Sequence, residues 1–130
     1  PLLTAGGYNN GVSEYIEKHD VLYAGTNLTI DMFGNSFVHT YPFYADDNIL
    51  IFNNKKYNEN HLLFIKTALT YLKTQYGFQK QYRLNSVEKT VVKLPIDSTG
   101  QPDWNYMESF MKQINQQAQT KLNQLEKGSI

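Results

Sequence analysis

Apolar residues follow two different rhythms along this chain. In the first 53 residues they come in short bursts between turn signals, and later they recur at three- and four-residue steps. Leu28, Ile30 and Met32 alternate with Thr29, Asp31 and Phe33, the period of a strand with one face inward. Gly34-Asn35 then offers a tight turn into Ser36-Phe37-Val38-His39, which predicts a hairpin. Val12–Ile16 and Val21–Tyr23 are short strand candidates, and Ile49–Phe52 is a fully apolar one. Tyr41-Pro42-Phe43-Tyr44 is a bulky aromatic step whose rings suit a core. From residue 59 to 76 the rhythm changes. Leu62, Ile65, Leu69, Leu72 and Tyr76 mark one face of a helix, with Asn58 or Asn60 to cap it and Gly77 to close it in the left-handed conformation. Asn85 or Ser86 suits the start of a short helical turn, and Val91–Leu94 reads as a last strand.

The stretch LPIDSTGQPDW, residues 94–104, divides the chain. Pro95 and Pro102 bracket a turn at Asp97-Ser98-Thr99-Gly100, and neither a strand nor a helix runs easily through two prolines. Pro102 and Asp103 suit the first turn of a helix over residues 103–126. In it Trp104, Met107, Met111, Ile114, Ala118, Lys121 and Leu125 follow a heptad seam. Lys121 and the Gln/Asn-rich stretch from Gln113 to Gln119 weaken the later part of that seam. A partner helix is therefore expected against Met111, Ile114, Ala118 and Leu125. The predicted division is a body over 1–96, a hinge over 97–102 and a helix over 103–130.

Composition narrows the class. A chain of 130 residues, 41% hydrophobic and 14% aromatic, supports one folded domain rather than disorder. Without cysteine there is no disulfide framework, thiolate metal site or cysteine nucleophile. No apolar run approaches the length of a membrane span and no signal peptide is legible, so the cytoplasm is the expected location. The chain opens at Pro1 without a Met, which suggests a fragment of something longer.

The formal net charge is zero, but the charge is unevenly spread. Residues 1–59 carry 3 Lys against 7 acids, whereas residues 60–93 carry 5 Lys and Arg83 against Glu88 alone. Such a basic segment attracts phosphates despite a neutral total. Within it Gln79, Lys80, Gln81, Tyr82, Arg83 and Asn85 crowd together after Tyr76. Arg and Lys pair with phosphates or guanine, Gln and Asn with adenine, and Tyr packs on sugars or bases. Lys66 and Lys73, on one face of the preceding helix, are further phosphate partners. The bland alternative is a solvated helix face and a polar loop whose tyrosines anchor the core.

Catalytic signals are lacking. His19, His39 and His61 show no metal-ligand spacing, and adjacent Asp46 and Asp47 in a strand would point to opposite faces. There is no glycine-rich phosphate loop, nucleophile elbow or dinucleotide fingerprint. No catalytic residue, metal or cofactor is expected.

The run LPIDSTGQPDWNYMESFM resembles the end of a target-recognition domain in the specificity (S) subunits of Type I restriction–modification systems and of the related BcgI-like enzymes. LTIDMFGNSFVHTYPFYADDNILIF, the helix from Leu62 to Tyr76, and YGFQKQYRL resemble that family's central strands, following helix and Tyr-Gly…Arg-Leu segment in the same order. The resemblance implies a non-catalytic reader of double-stranded DNA, two such domains flanking paired long helices and each reading half of a split target. It also implies methyltransferase and restriction subunits, or other domains, that carry the chemistry. The family's base-contact residues vary, so none transfers individually. Only one recognition domain is present here, which leaves open a fragment, a half-subunit that dimerises, or the last domain of a fused enzyme.

The expected architecture is α/β (α+β): a strand-rich target-recognition domain with one packed helix and a long C-terminal coiled-coil-type helix. The expected function is sequence-specific DNA recognition through Gln79, Lys80, Gln81, Tyr82, Arg83, Asn85, Lys66 and Lys73. The competing reading is a protein–protein module that works through its heptad helix and does not touch DNA.

Overall fold

The computed structural model describes residues 1–7, 9–14, 22–53 and 55–128. Six strands precede the helices: β1 (Leu2–Leu3), β2 (Val12–Glu14), β3 (Asn27–Asp31), β4 (Ser36–His39), β5 (Tyr44–Ala45) and β6 (Ile49–Phe52). Then come α1 (Glu59–Ala68), a 3₁₀ turn (Thr70–Thr74), α2 (Leu84–Val87) and α3 (Trp104–Gly128). The class is mixed α/β, as the two rhythms indicate.

Two three-stranded sheets stack with two hydrophobic clusters, one on each face of the larger sheet. In the larger, β3 lies between β4 and β6, antiparallel to both, with Thr29 opposite Phe37 on one side and Ile51 on the other. In the smaller, β1 lies between β2, antiparallel, and β5, parallel. Strand β6 shows how the layers stack. Leu50 and Phe52 pack with Leu28, Ile30, Leu62, Leu69 and Leu72, on the α1 side. Ile49 and Ile51 pack with Leu3 and Phe43, on the small-sheet side. The larger sheet is thus the middle layer between helix and small sheet.

This corrects the one-faced reading of β3, all five residues of which are buried. Its polar face meets the small-sheet layer; Thr29 and Asp31 are hydrogen-bonded there, whereas the buried Asn27 Oδ1 has no hydrogen-bond partner. Thr29 Oγ1 pairs with His39 Nε2 at 3.1 Å, His39 Nδ1 with the Tyr41 hydroxyl at 3.0 Å, and Asp31 caps the hairpin turn. Buried polar groups persist when paired in this way. His39, fully buried, has its pKa lowered to about 4 by desolvation. It is a packing residue, as is His61 against Trp104; His19, Ile16 and Val21 lie outside the described residues.

Two elements differ from expectation. The helix begins on the Asn58 cap, whose Oδ1 accepts the His61 N–H at 3.0 Å, but α-geometry stops at Ala68 rather than residue 76. The Leu69 N–H is shared between the carbonyls of Ile65 and Lys66, and the Thr67, Thr70 and Thr74 hydroxyls bond back to carbonyls of the preceding turn. Such back-bonding competes with regular helix and tightens it into the 3₁₀ turn. Gly77 is not in the left-handed region. The expected strand at Val91–Leu94 is irregular backbone, with Val92 on the core and Val91 exposed. Tyrosine hydroxyls hold this segment in place of a ladder, Tyr71 donating to the Val91 carbonyl at 2.6 Å and Tyr82 pairing with Thr90 Oγ1 at 2.8 Å.

The dividing turn forms as its residues require. Asp97 Oδ1 accepts from the backbone of Thr99 and Gln101 and from the Thr99 hydroxyl, holding its carboxyl below the ordinary range, and Gly100 takes φ +84°. Asp103, not a residue inside the helix, is the cap of α3: its Oδ1 accepts the Tyr106 N–H at 3.0 Å. Helix α3 docks on α1 through its first two turns. Trp104 sits 4.5 Å from the Tyr57 ring and 5.2 Å from His61, its carbonyl is 3.2 Å from His61 Nε2, and Met107 is fully buried. Residues 112–126 are exposed throughout.

Candidate nucleic-acid interface

The hairpin turn between β3 and β4 is the hub of the polar surface. The buried Asp31 carboxylate accepts from the backbone N–H groups of Gly6, Phe33 and Asn35 and from the Asn35 amide, all between 2.8 and 3.0 Å. Gly34 takes φ +84° and lies so close to the 3₁₀ turn that a β-carbon would stand 2.7 Å from the Leu72 carbonyl. Only glycine meets both conditions. The turn is therefore fixed from within and from below.

Two other segments attach to it. Met32 N–H donates to the Asn48 carbonyl at 3.0 Å, bringing in the β5–β6 turn. The Met32 carbonyl accepts the Tyr82 N–H at 2.7 Å, bringing in the loop of residues 77–83. Arg83 ties the three together: Nη2 reaches Asn48 Oδ1 at 3.0 Å and Gln81 Oε1 at 2.6 Å, and Nη1 reaches the Asp47 carbonyl at 3.4 Å. Within the loop, Gly77 N–H donates to the Lys80 carbonyl at 2.9 Å and the Lys80 ammonium lies 5.3 Å from the centre of the Tyr76 ring.

The residues singled out from sequence fall into separate roles. Gln79 and Lys80 are exposed on this rim, Gln81 and Arg83 are half-buried in it, and Asn85 is exposed on α2. Lys66 and Lys73 line a small cleft of about 200 Å³ with Thr70, Asn35 and Ser36, on the α1 side of the same turn. Tyr82 does not belong to the contact surface. It is 1% exposed, its ring packs edge-on to Tyr76 at 5.0 Å, and burial raises the pKa of its hydroxyl. For this residue the bland alternative, a tyrosine anchoring the core from a polar loop, holds. Arg83 also has a structural duty that its charge alone did not reveal: it fastens the loop that carries the exposed residues.

On α3, Met111 is buried beside the body and is not available to a partner helix. Ile114, Ala118 and Leu125 are exposed, and so is Leu122, which the heptad spacing passed over in favour of Lys121. Stepping from Ala118 to Leu122 to Leu125 keeps an apolar stripe where the strict heptad meets a charge. Phe78, exposed on the same loop as Lys80, was likewise passed over; the available signal was an aromatic directly after Tyr76-Gly77 in a polar run.

Chemically, the rim offers donors, acceptors and positive charge on a braced scaffold. Among the described residues no group of three or more His, Cys, Asp or Glu could hold a metal ion, and no helix is long and apolar enough to cross a membrane. Groups of these kinds are the ones that pair with polar, anionic partners. Residues 1–127 match the model of the Type I restriction modification DNA specificity domain, and the chain belongs to that family. This is a family of DNA-specificity domains, not of catalysts. Among curated proteins the chain is similar to the specificity subunit S.BcgI of a Type II restriction enzyme from Heyndrickxia coagulans, 25% identical over 119 residues. That alignment covers 88% of this chain and 35% of the relative, so the chain spans about a third of that protein's length. No solved structure matches the chain.

Proposed function

We propose that this domain reads one half-site of a split target in duplex DNA through the rim formed by residues 77–85 and the two turns that brace it. The observation that carries this reading is that the loop exposing Gln79 and Lys80 is fastened by its own backbone and by the Gln81–Arg83–Asn48 hydrogen bonds. Preorganised polar side chains on a fixed loop lose little freedom when they meet base edges. Lys66 and Lys73, in the cleft beside the hairpin turn, serve the phosphate backbone. The exposed part of α3 pairs with a helix from a second recognition domain or a second copy. That pairing sets the spacing between half-sites and positions methyltransferase and restriction subunits, which supply the chemistry.

Selection of the chain against a pool of random-sequence duplexes tests this directly, with recovery of a sequence motif as the expected result. Lys80→Gln, Lys66→Gln and Lys73→Gln should each weaken binding and lower the slope of log affinity against log salt by about one. Failure to recover any motif, or slopes unchanged in all three variants, would overturn the reading. The bare apolar stripe on α3 favours a second reading, a protein–protein module that makes no DNA contact. Truncation after Met111 separates the two: the DNA reader keeps its motif and loses only self-association, whereas the module loses its one function.

A further inference from the structure

Phe78 is 79% exposed, the most exposed large apolar side chain on the 77–83 loop, and it has no core position to fill. Single exposed apolar residues are common on protein surfaces, so exposure alone carries little. Its setting carries more. The loop is fastened at Gly77 by the Lys80 carbonyl and at Tyr82 by Met32, so Phe78 does not sit on a fraying end. The Phe33 ring of the hairpin turn meets it edge-on at 4.8 Å and 66°, which fixes its direction while leaving most of its surface bare. The Gln81 amide reaches the Phe78 carbonyl at 3.5 Å, and Gln79 and Lys80 follow in sequence. An apolar point is thereby held among the polar side chains assigned to base edges.

In the major groove thymine alone among the four bases offers a methyl group, and phenylalanine is one of the side chains that meets it. We propose that Phe78 is a specificity-determining residue that packs on the 5-methyl group of a thymine in the target. This rests on the DNA-reading function proposed above and adds to it the one base feature that Gln, Lys and Arg do not read. Phe33 acts as its positioning residue, buttressing the ring from behind.

The test uses the full chain, the motif selected from random duplexes, and versions of that duplex with single thymines replaced by uracil, which differs only by the missing methyl. One replacement should weaken wild-type binding roughly fourfold, the equivalent of one buried methyl group. Phe78→Ala should bind thymine and uracil alike at that position and accept other bases there, while its salt slope stays that of the wild type. Phe78→Leu, which keeps an apolar surface, should retain part of the discrimination and serves if the alanine variant folds poorly. A motif in which no thymine responds to methyl removal overturns this inference and leaves DNA reading intact. An equal uracil penalty in wild type and Phe78→Ala overturns it too. Recovery of no motif at all overturns both.

Discussion

Met107 and Leu125 lie on one unbroken helix, yet the first is fully buried and the second is 67% exposed. The head and the arm of this molecule are built on different terms. The head is layered, with α1 and the small sheet covering both faces of β3. Residues 112–126 of the arm are exposed, and within it Lys112 pairs with Glu108 at 3.2 Å and Gln119 with Asn123 at 3.1 Å. Such i,i+4 contacts are worth a few tenths of a kcal/mol each, whereas starting a helix is the costly step. The docked turns from Trp104 to Met111 supply that nucleus, and the arm propagates from it. One fold thus contains a part stabilised by burial and a part that inherits its order from the first.

The sharpest way to break this dependence is Met107→Ala. Removing a fully buried side chain at the α1–α3 contact should cost about 2–5 kcal/mol in urea unfolding and lower the helical signal of the arm as well. If the arm's helicity survives while the head loosens, the arm does not depend on its docking. Acid acts on the head through a different group. His39 has its folded pKa lowered to about 4 from an ordinary 6.5, so the unfolded chain binds the extra proton first. The stability tied to its neutral form is fully present above about 6.5 and is lost as pH falls toward 4. Between pH 7 and pH 5 that amounts to about 2 kcal/mol, and His39→Gln should flatten the slope. Trp104→Ala removes the ring from Tyr57 and His61 without opening the middle layer. An expected loss of about 1–2 kcal/mol should appear as faster amide exchange in the first turns of α3 with β3 still protected.

How far the sequence reveals this design differs between the two regions. The hairpin from Leu28 to His39 and the Asn58 cap are legible because each depends on residues close in sequence, and strand β6 because Ile49–Phe52 is an unbroken apolar run. The polar face of β3 is not, since Thr29 and Asp31 look solvent-facing until a sheet built from residues 2–3, 12–14 and 44–45 covers them. The same non-local logic hides the brace made by Arg83 across the turns at Met32 and Asn48, and it leaves Tyr82 undecided between loop and core until its N–H meets the Met32 carbonyl. In the candidate site, sequence identifies the charged and polar residue types. Which of them hold the platform and which face outward is decided by hydrogen bonds between segments more than 30 positions apart.

The smallest effect expected on the isolated chain is also the most informative about the arm. Leu122 is exposed, and no partner covers the stripe it shares with Ile114, Ala118 and Leu125 in the single chain. Leu122→Gln exchanges one good helix former for another, so unfolding of the monomer should shift by no more than about 0.5 kcal/mol. Its effect belongs to association. A helix pairing along this stripe buries Leu122, and the amide then has to be desolvated without a partner. Sedimentation equilibrium of the wild type and the variant should show weaker self-association, or weaker binding to a second recognition domain, with the selected DNA motif unchanged. A Leu122→Gln chain that associates as the wild type does would mean that the pairing surface does not include Leu122. The strict heptad through Lys121 would then describe the seam better than the shifted stripe.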